Sequence, residues 1–326
     1  MTSSPFIRQS VIYFEASSDD DGQRLDNFLM SRLNKLPRSH LYRIVRTGQV
    51  RVNGGRCKIS TRICAGDRVR VPPLNLQVRE SKVAGVEQLK LLESAIIYED
   101  EHIVAINKPS LFAVHGGSGI RMGIIEVLKQ VPRFSDYLEL GHRLDRETSG
   151  TLIMARNRKA LTGLHAMFRR DQSGMLKTYH ALCLGKLPQK IQDVGASILR
   201  VNNSQGPKCV VDSDGQVAHS TFIEEESFEE ACLVKIQLHT GRTHQARVHA
   251  SYLGIPILGD SMYGDFPANR RFKRVGLNRL FLHASSLQIV HPFSKKKLCL
   301  LSPLPEKLQM VLQNLRLSHQ EPALKA

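Results

Sequence analysis

Between Leu25 and Val71 the spacing of apolar residues changes period once, from helical to alternating, and that change limits what the segment can become. Leu25, Phe28, Leu29, Leu33 and Leu36 recur at three- and four-residue steps, as one face of a helix requires. Pro37-Arg38-Ser39 interrupts. A second helix follows, with Leu41, Ile44 and Val45 on one face and Gly48 as its stop. From Val50 the period is two. Val50-Arg51-Val52 runs into Asn53-Gly54-Gly55, a tight-turn signal, and Asp67-Arg68-Val69-Arg70-Val71 alternates again before Pro72-Pro73. Two short helices and a small sheet are expected.

Charge is concentrated in the same stretch. From Arg24 to Arg70 there are twelve Lys/Arg and two Asp/Glu, a net +10 out of +16 for the whole chain. One sign at this density repels itself, and a polyanion relieves the repulsion. The rest of the composition narrows the class. With 326 residues, 41% of them hydrophobic, the chain can form two domains and bury a core. No apolar run reaches membrane-spanning length, and the N-terminus shows no secretory core. Six scattered cysteines without a CxxC pair read as reduced thiols of a cytoplasmic protein, neither a disulfide framework nor a zinc knuckle.

Beyond Ala95 strands dominate. Ile96-Ile97-Tyr98 and Ile103-Val104-Ala105-Ile106, around an acidic turn, read as a hairpin. Residues 159–170 read as a helix; 151–155, 179–184, 232–238 and 280–290 read as strands. Helices interrupt irregularly, so an α+β fold with a mixed, mainly antiparallel sheet is expected. Neither GxGxxG nor GxxxxGK[ST] occurs, which leaves dinucleotide and P-loop functions without support.

The chemistry concentrates at GHRLDRETSG, residues 141–150. Asp145 sits between Arg143 and Arg146, just before small residues and an apolar run. A neighbouring cation favours an ionised carboxylate, which suits nucleophilic or electrostatic catalysis; the same residues also suit an inert surface network. His239, His244 and His249 recur at five-residue steps, which do not share one helical face and lack a HExxH or Cys partner, so no metal site is expected. His142, Asp145 and Ser149 include hydrolase residue types, but there is no GxSxG elbow.

Two resemblances extend this reading. GQRLDNFL, PRSHLYRIVRTGQVRVNG and AGDRVRV are similar to the RNA-binding domain named after ribosomal protein S4. That likeness implies that the second helix faces RNA phosphates through Arg38, Arg43 and Arg46. GHRLDRETSG resembles the HRLDxxTSG signature of the RNA pseudouridine synthases. Further blocks agree in the same order: Asn107-Lys108-Pro109 with Val114-His115, Lys177-Thr178-Tyr179-His180-Ala181, HTGRTHQARVH at 239–249, and RLFLHA at 279–284. The resemblance implies isomerisation of uridine to pseudouridine without metal or other cofactor. It further implies Asp145 as the catalytic aspartate, by a covalent or a glycal route, and Arg143 as a residue that fills the gap left by a flipped base. Tyr179 would stack on the uracil and take the C5 proton if its pKa is perturbed, Arg247 would pair with the aspartate, and Leu282 would line the base pocket. The chain departs from the family pattern at Leu111, where glycine is common, and at Ala246, where a larger aliphatic is usual.

The expected organisation is an N-terminal extension at 1–18, an S4-like domain at 19–75, a linker at 76–93, a pseudouridine synthase domain at 94–316 and a loose tail at 317–326. The expected substrate is large-subunit (23S) ribosomal RNA or a ribosome-assembly intermediate, bound by a monomer away from membranes. The alternatives are transfer RNA as substrate, or a ribosome-assembly factor that binds RNA without catalysis.

Overall fold

The computed structural model describes residues 6–8, 10–33, 36–77, 83–116, 122–169, 175–203 and 206–320. Parts of the extension, linker and tail named above lie outside them. Two compact units divide the chain, residues 1–82 and 83–326.

The first unit holds β1 (Phe6–Arg8), β2 (Ile12–Glu15), α1 (Leu25–Arg32), α2 (Arg38–Arg46), β3 (Arg51–Val52), β4 (Gly55–Arg56), β5 (Arg68–Val71) and β6 (Asn75–Gln77). A four-stranded sheet runs β2-β5-β3-β4, and β1 pairs with β6. The apolar helix faces read from the sequence form its core: Leu25, Phe28 and Leu29 from α1 join Leu41, Ile44 and Val45 from α2 and Val69 and Val71 from β5. Asn53 and Gly54 both adopt positive φ, so the β3–β4 hairpin closes on the tight turn the Asn-Gly step signals. Ile12–Glu15, assigned by sequence to an extension, is instead an edge strand of this sheet, hydrogen-bonded along β5. Its Ile12 and Phe14 pack on the core, a non-local gain that local spacing does not reveal.

The second unit begins with α3 (Val86–Ser94), which lies where a linker is expected, because Leu92 and Leu89 reach the main core. The hairpin β7 (Ile96–Glu99) and β8 (Ile103–Lys108) follows, then α4 (Ile124–Leu128), β9 (Glu139–Leu140), β10 (Ser149–Ala155), α5 (Arg158–Arg169) and β11 (Leu176–Leu184). Three meandering strands β12 (Ile191–Gly195), β13 (Ile198–Asn203) and β14 (Gly206–Val211) lead to β15 (His219–Ser227) and β16 (Ala231–Leu238). After α6 (Gln245–Tyr252) and α7 (Phe266–Phe272) come β17 (Leu282–Val290), β18 (Lys297–Leu301) and α8 (Glu306–Gln320). Helix α8 continues to Gln320, into the 317–326 segment where a loose tail is expected.

A ten-stranded sheet orders these as β12-β15-β16-β11-β17-β10-β8-β7, with β18 also on β17 and β9 also on β10. Every pair is antiparallel except β10 with β17. Those two begin side by side, Ser149 opposite His283 and Gly150 opposite Ala284. Gly150 has φ +115°, and a Cβ there would strike the Ala284 backbone, so only glycine permits this approach. Since both strands start at the same end, the loops that precede them meet there.

Candidate active site

Those loops border a cleft of about 950 Å³ in the second unit. Arg143, Asp145, Tyr179, Arg247 and Leu282, far apart in sequence, all line it. Arg38, Arg43 and Arg46 belong to the first unit, exposed on α2 opposite its buried Leu41, Ile44 and Val45.

Strand order explains the convergence. Asp145 lies in the turn before β10, where the Thr148 N–H donates to its backbone carbonyl. Leu282 opens β17 next door, 3% exposed. Tyr179 is on β11, the neighbour of β17, with Ala284 as its partner across a bulge. Strand β16 pairs with β11 and ends at Leu238, so the loop that follows returns to this end of the sheet and launches α6 with Arg247. Helix α6 packs on the main core through Ala246 and Ala250, one turn apart. Ala246, where a larger aliphatic is usual, is buried in that cluster and borders the cleft.

Local turn chemistry builds the α6 entry. Gln245 is buried and acts as a clamp. Its Oε1 accepts from the Thr240 hydroxyl at 2.7 Å and the Arg242 N–H at 3.0 Å; its Nε2 donates to the His219 carbonyl and the Ser220 hydroxyl. His244 precedes it in the left-handed region, φ 57° and ψ 18°.

Asp145 is met from across the fold. Its Oδ2 lies 3.4 Å from Arg247 Nη1, and its Oδ1 lies 3.9 Å from His244 Nε2. Neither arginine that flanks it in sequence pairs with it: Arg146 Nε donates to the Leu111 carbonyl, and the exposed side chain of Arg143 has no hydrogen bond or ion pair among the described residues. The flanking arginines legible in the local sequence stay apart from the carboxylate, and Arg247, named by the family resemblance, lies within 3.4 Å of it. Helix α6 brings Arg247 to the carboxylate from across the fold.

Arg247 is itself held elsewhere. Nε and Nη2 donate to the two oxygens of Asp260 at 2.7 and 2.8 Å, and Glu147 lies 3.6 Å from Nη2. Burial opposes its charge, but the hydrogen bonds and charge of Asp260, aided by Asp145 and Glu147, outweigh burial and raise its pKa. Asp260 is fully buried; burial would raise its pKa, yet Arg247 and the N–H groups of Tyr263 and Met262 hold it below the usual carboxylate range. Nothing in the sequence marks Asp260. The only available signal is chemical: a buried arginine requires a carboxylate.

Lys108 also escapes a role in the sequence reading. It is fully buried, and Nζ donates to the carbonyls of Pro109, Phe112 and Arg146 at 2.9–3.1 Å. Ser110 donates to the Glu147 carbonyl, and the Leu111 N–H to that of Arg146. Together they strap residues 108–112 onto the loop that carries Asp145. Burial and the Arg279 charge push the Lys108 ammonium down to about 7, against the pull of Asp145; three carbonyl acceptors matched to three ammonium protons favour the charged form. Leu111 keeps φ +69°, so the glycine-like backbone persists with a leucine on it.

The histidines separate. His142 is half-buried, lowered to about 4 by burial of its ring and by Lys177, and its Nε2 accepts from the Ile153 N–H. His239 stacks on His219, His244 faces Asp145, and His249 contacts Ser220 and the Ala196 carbonyl. Tyr179 is pushed well above the ordinary phenol range by burial, and further by the Asp145 charge.

Known proteins resemble this chain over most of its length. Residues 102–252 match the family described as RNA pseudouridylate synthase, and residues 23–69 match the S4 domain. The chain is 42% identical over 314 residues to Ribosomal large subunit pseudouridine synthase C of Vibrio cholerae, covering 95% of this chain and 98% of that protein. It is also 42% identical to the protein of that name from Escherichia coli, over 94% of this chain and 97% of the relative. Among solved structures, Human RNA Pseudouridylate Synthase Domain Containing 4 superposes with a TM-score of 0.58 at 28% identity, over 70% of this chain and 95% of that one. The cleft and these relatives together make the chain a member of the RNA pseudouridine synthases, an RNA isomerase that carries an S4 domain ahead of its catalytic unit.

Proposed function

We propose that this protein converts uridines to pseudouridines in large-subunit (23S) ribosomal RNA, with Asp145 acting on the extruded nucleoside. One observation carries the assignment of the site. The carboxylate of Asp145 stands in an open cleft, backed by Arg247 and flanked by the apolar surface of Tyr179 and Leu282. The ribosomal substrate is supported by the names of relatives that match nearly the whole chain.

Isomerisation breaks the N1–C1′ bond, turns the uracil, joins C5 to C1′, removes the C5 proton and returns one to N1. The carbon C1′ becomes electron-poor as its bond to N1 breaks, and a negative carboxylate beside it stabilises that change. A covalent route and a glycal route both use this charge. Tyr179 and Leu282 offer the uracil a flat apolar seat. A phenol raised in pKa is a poor base, so stacking is the role its environment favours. Extruding the base costs a few kcal/mol, and the exposed guanidinium of Arg143 at the cleft is available to occupy the gap. Arg38, Arg43 and Arg46 bind phosphates. The protein acts as a monomer in the cytoplasm, where its six unbridged cysteines remain reduced. No helix among the described residues is long and apolar enough to cross a membrane.

Mapping carbodiimide-induced reverse-transcription stops on ribosomal RNA, with and without the gene, tests the substrate; stops that depend on the gene are expected, and an unchanged map removes it. Asp145→Asn keeps the shape and removes the charge. It should abolish conversion, and a variant that still converts uridine overturns the role of Asp145.

A further inference from the structure

We propose that His244 is a positioning residue for Asp145, its Nε2–H holding the Oδ1 side of the carboxylate while Arg247 holds Oδ2. The proposal rests on the reading of Asp145 as the acting group. Three observations carry it. First, Nε2 points at Oδ1 from 3.9 Å, with both side chains lining the cleft. Hydrogen bonds in substrate-free sites are often long and close up when substrate excludes water.

Second, the tautomer is set by a chain of partners. The Tyr263 hydroxyl oxygen accepts from the buried Cys209 N–H at 2.9 Å and lies 2.8 Å from His244 Nδ1. Its own hydrogen therefore goes to Nδ1, a stronger acceptor than the Cys209 thiol. An imidazole that accepts at Nδ1 carries its proton on Nε2, toward Asp145.

Third, His244 keeps a left-handed backbone at the entry to α6. Such a conformation costs about 1–2 kcal/mol outside glycine and persists where neighbours over-determine it. The Gln245 clamp does so here, and the Val248 N–H donates to the His244 carbonyl. The strained turn is what aims the ring at Oδ1. Charged and titratable groups around the ring are Asp145 and Glu147 from the signature loop, Arg247 from α6, and Asp260 and Tyr263 from the loop before α7; Lys208 sits over the Tyr263 ring. Burial lowers the His244 pKa against the pull of Asp145, which favours the neutral ring.

The test uses the full-length enzyme, an in vitro transcript of large-subunit ribosomal RNA, and ¹⁵N-histidine labelling. The imidazole signal that disappears in His244→Phe should be one with bare Nδ1 and protonated Nε2, and it should be altered in Tyr263→Phe. His244→Phe should slow single-turnover conversion about tenfold or more, the worth of one charge-assisted hydrogen bond. RNA affinity should be unchanged. His244→Gln, which restores an N–H, should recover most of the rate. Thermal melts show whether each variant is folded. A wild-type rate in His244→Phe, a glutamine variant no better than phenylalanine, or a proton on Nδ1 overturns the proposal. Conversion by Asp145→Asn overturns the reading of Asp145 and the rate effect with it. An inactive Asp145→Asn beside a wild-type His244→Phe overturns this proposal alone.

Discussion

Arg247 gives its two shortest hydrogen bonds to Asp260, at 2.7 and 2.8 Å, and reaches Asp145 only at 3.4 Å. The buried carboxylate neutralises and aims the guanidinium, and Asp145 receives what remains of its field. This division leaves Asp145 partly free for substrate, 29% exposed, while Asp260 has no access to the cleft's solvent at all.

Asp260→Asn should therefore act at a distance. It strands a buried guanidinium, which costs about 3–5 kcal/mol when one partner of a buried pair is removed. Chemical denaturation should show that loss, and conversion should fall as Arg247 loses its aim. Because the folded pKa of Asp260 is depressed, its contribution is complete above about pH 4 and is lost as pH falls through its folded value. The wild-type melting temperature should drop in that acidic window, and the Asn variant should lack this component.

Leu111 tests the turn beneath Asp145. It is 58% exposed at φ +69°, hydrogen-bonded to Arg146 in both directions. Leu111→Gly removes about 1 kcal/mol of backbone strain and adds about 0.5–1 kcal/mol of unfolded-state entropy, so stability should change little. Leu111→Val places a β-branched side chain at positive φ and should lower stability by about a further 1 kcal/mol or more. Melting curves of the pair check this; equal losses from both would show that the turn is unstrained.

Tyr179 should leave no ionisation in the rate profile. Its raised pKa keeps the phenol protonated through neutral and mildly alkaline pH. Single-turnover rates should not climb between pH 8 and about 10, the range in which an ordinary phenol ionises. A climb that disappears in Tyr179→Phe would make the phenolate a base.

Replacing Arg38, Arg43 and Arg46 with alanine should weaken RNA binding and reduce the salt slope by roughly one unit for each phosphate no longer neutralised. The fold should persist, because α2 buries its opposite face. Circular dichroism and salt titrations decide the matter; an unchanged slope would remove these arginines from the RNA surface.

Much of this architecture was legible because its causes are local. Period and turn chemistry predict α1, α2, the Asn53-Gly54 hairpin, the β7–β8 hairpin, α5 and the strands around Asp145, Tyr179 and Leu282. The edge strand at Ile12–Glu15 and helix α3 were not legible, since each is decided by packing on distant residues.

The amino-acid order by itself determined α1, α2, the two hairpins, the basic α2 surface and the identity of Asp145 as the residue to watch. Local order offers that carboxylate Arg143 and Arg146, the family resemblance names Arg247, and tertiary structure brings Arg247 to it across 102 positions. It also supplied Asp260, Lys108 and His244 as the groups that hold the site. Backbone periodicity is written in near neighbours, whereas electrostatic pairing depends on distance through space, and only the folded sheet with its loops and α6 brings those charges together.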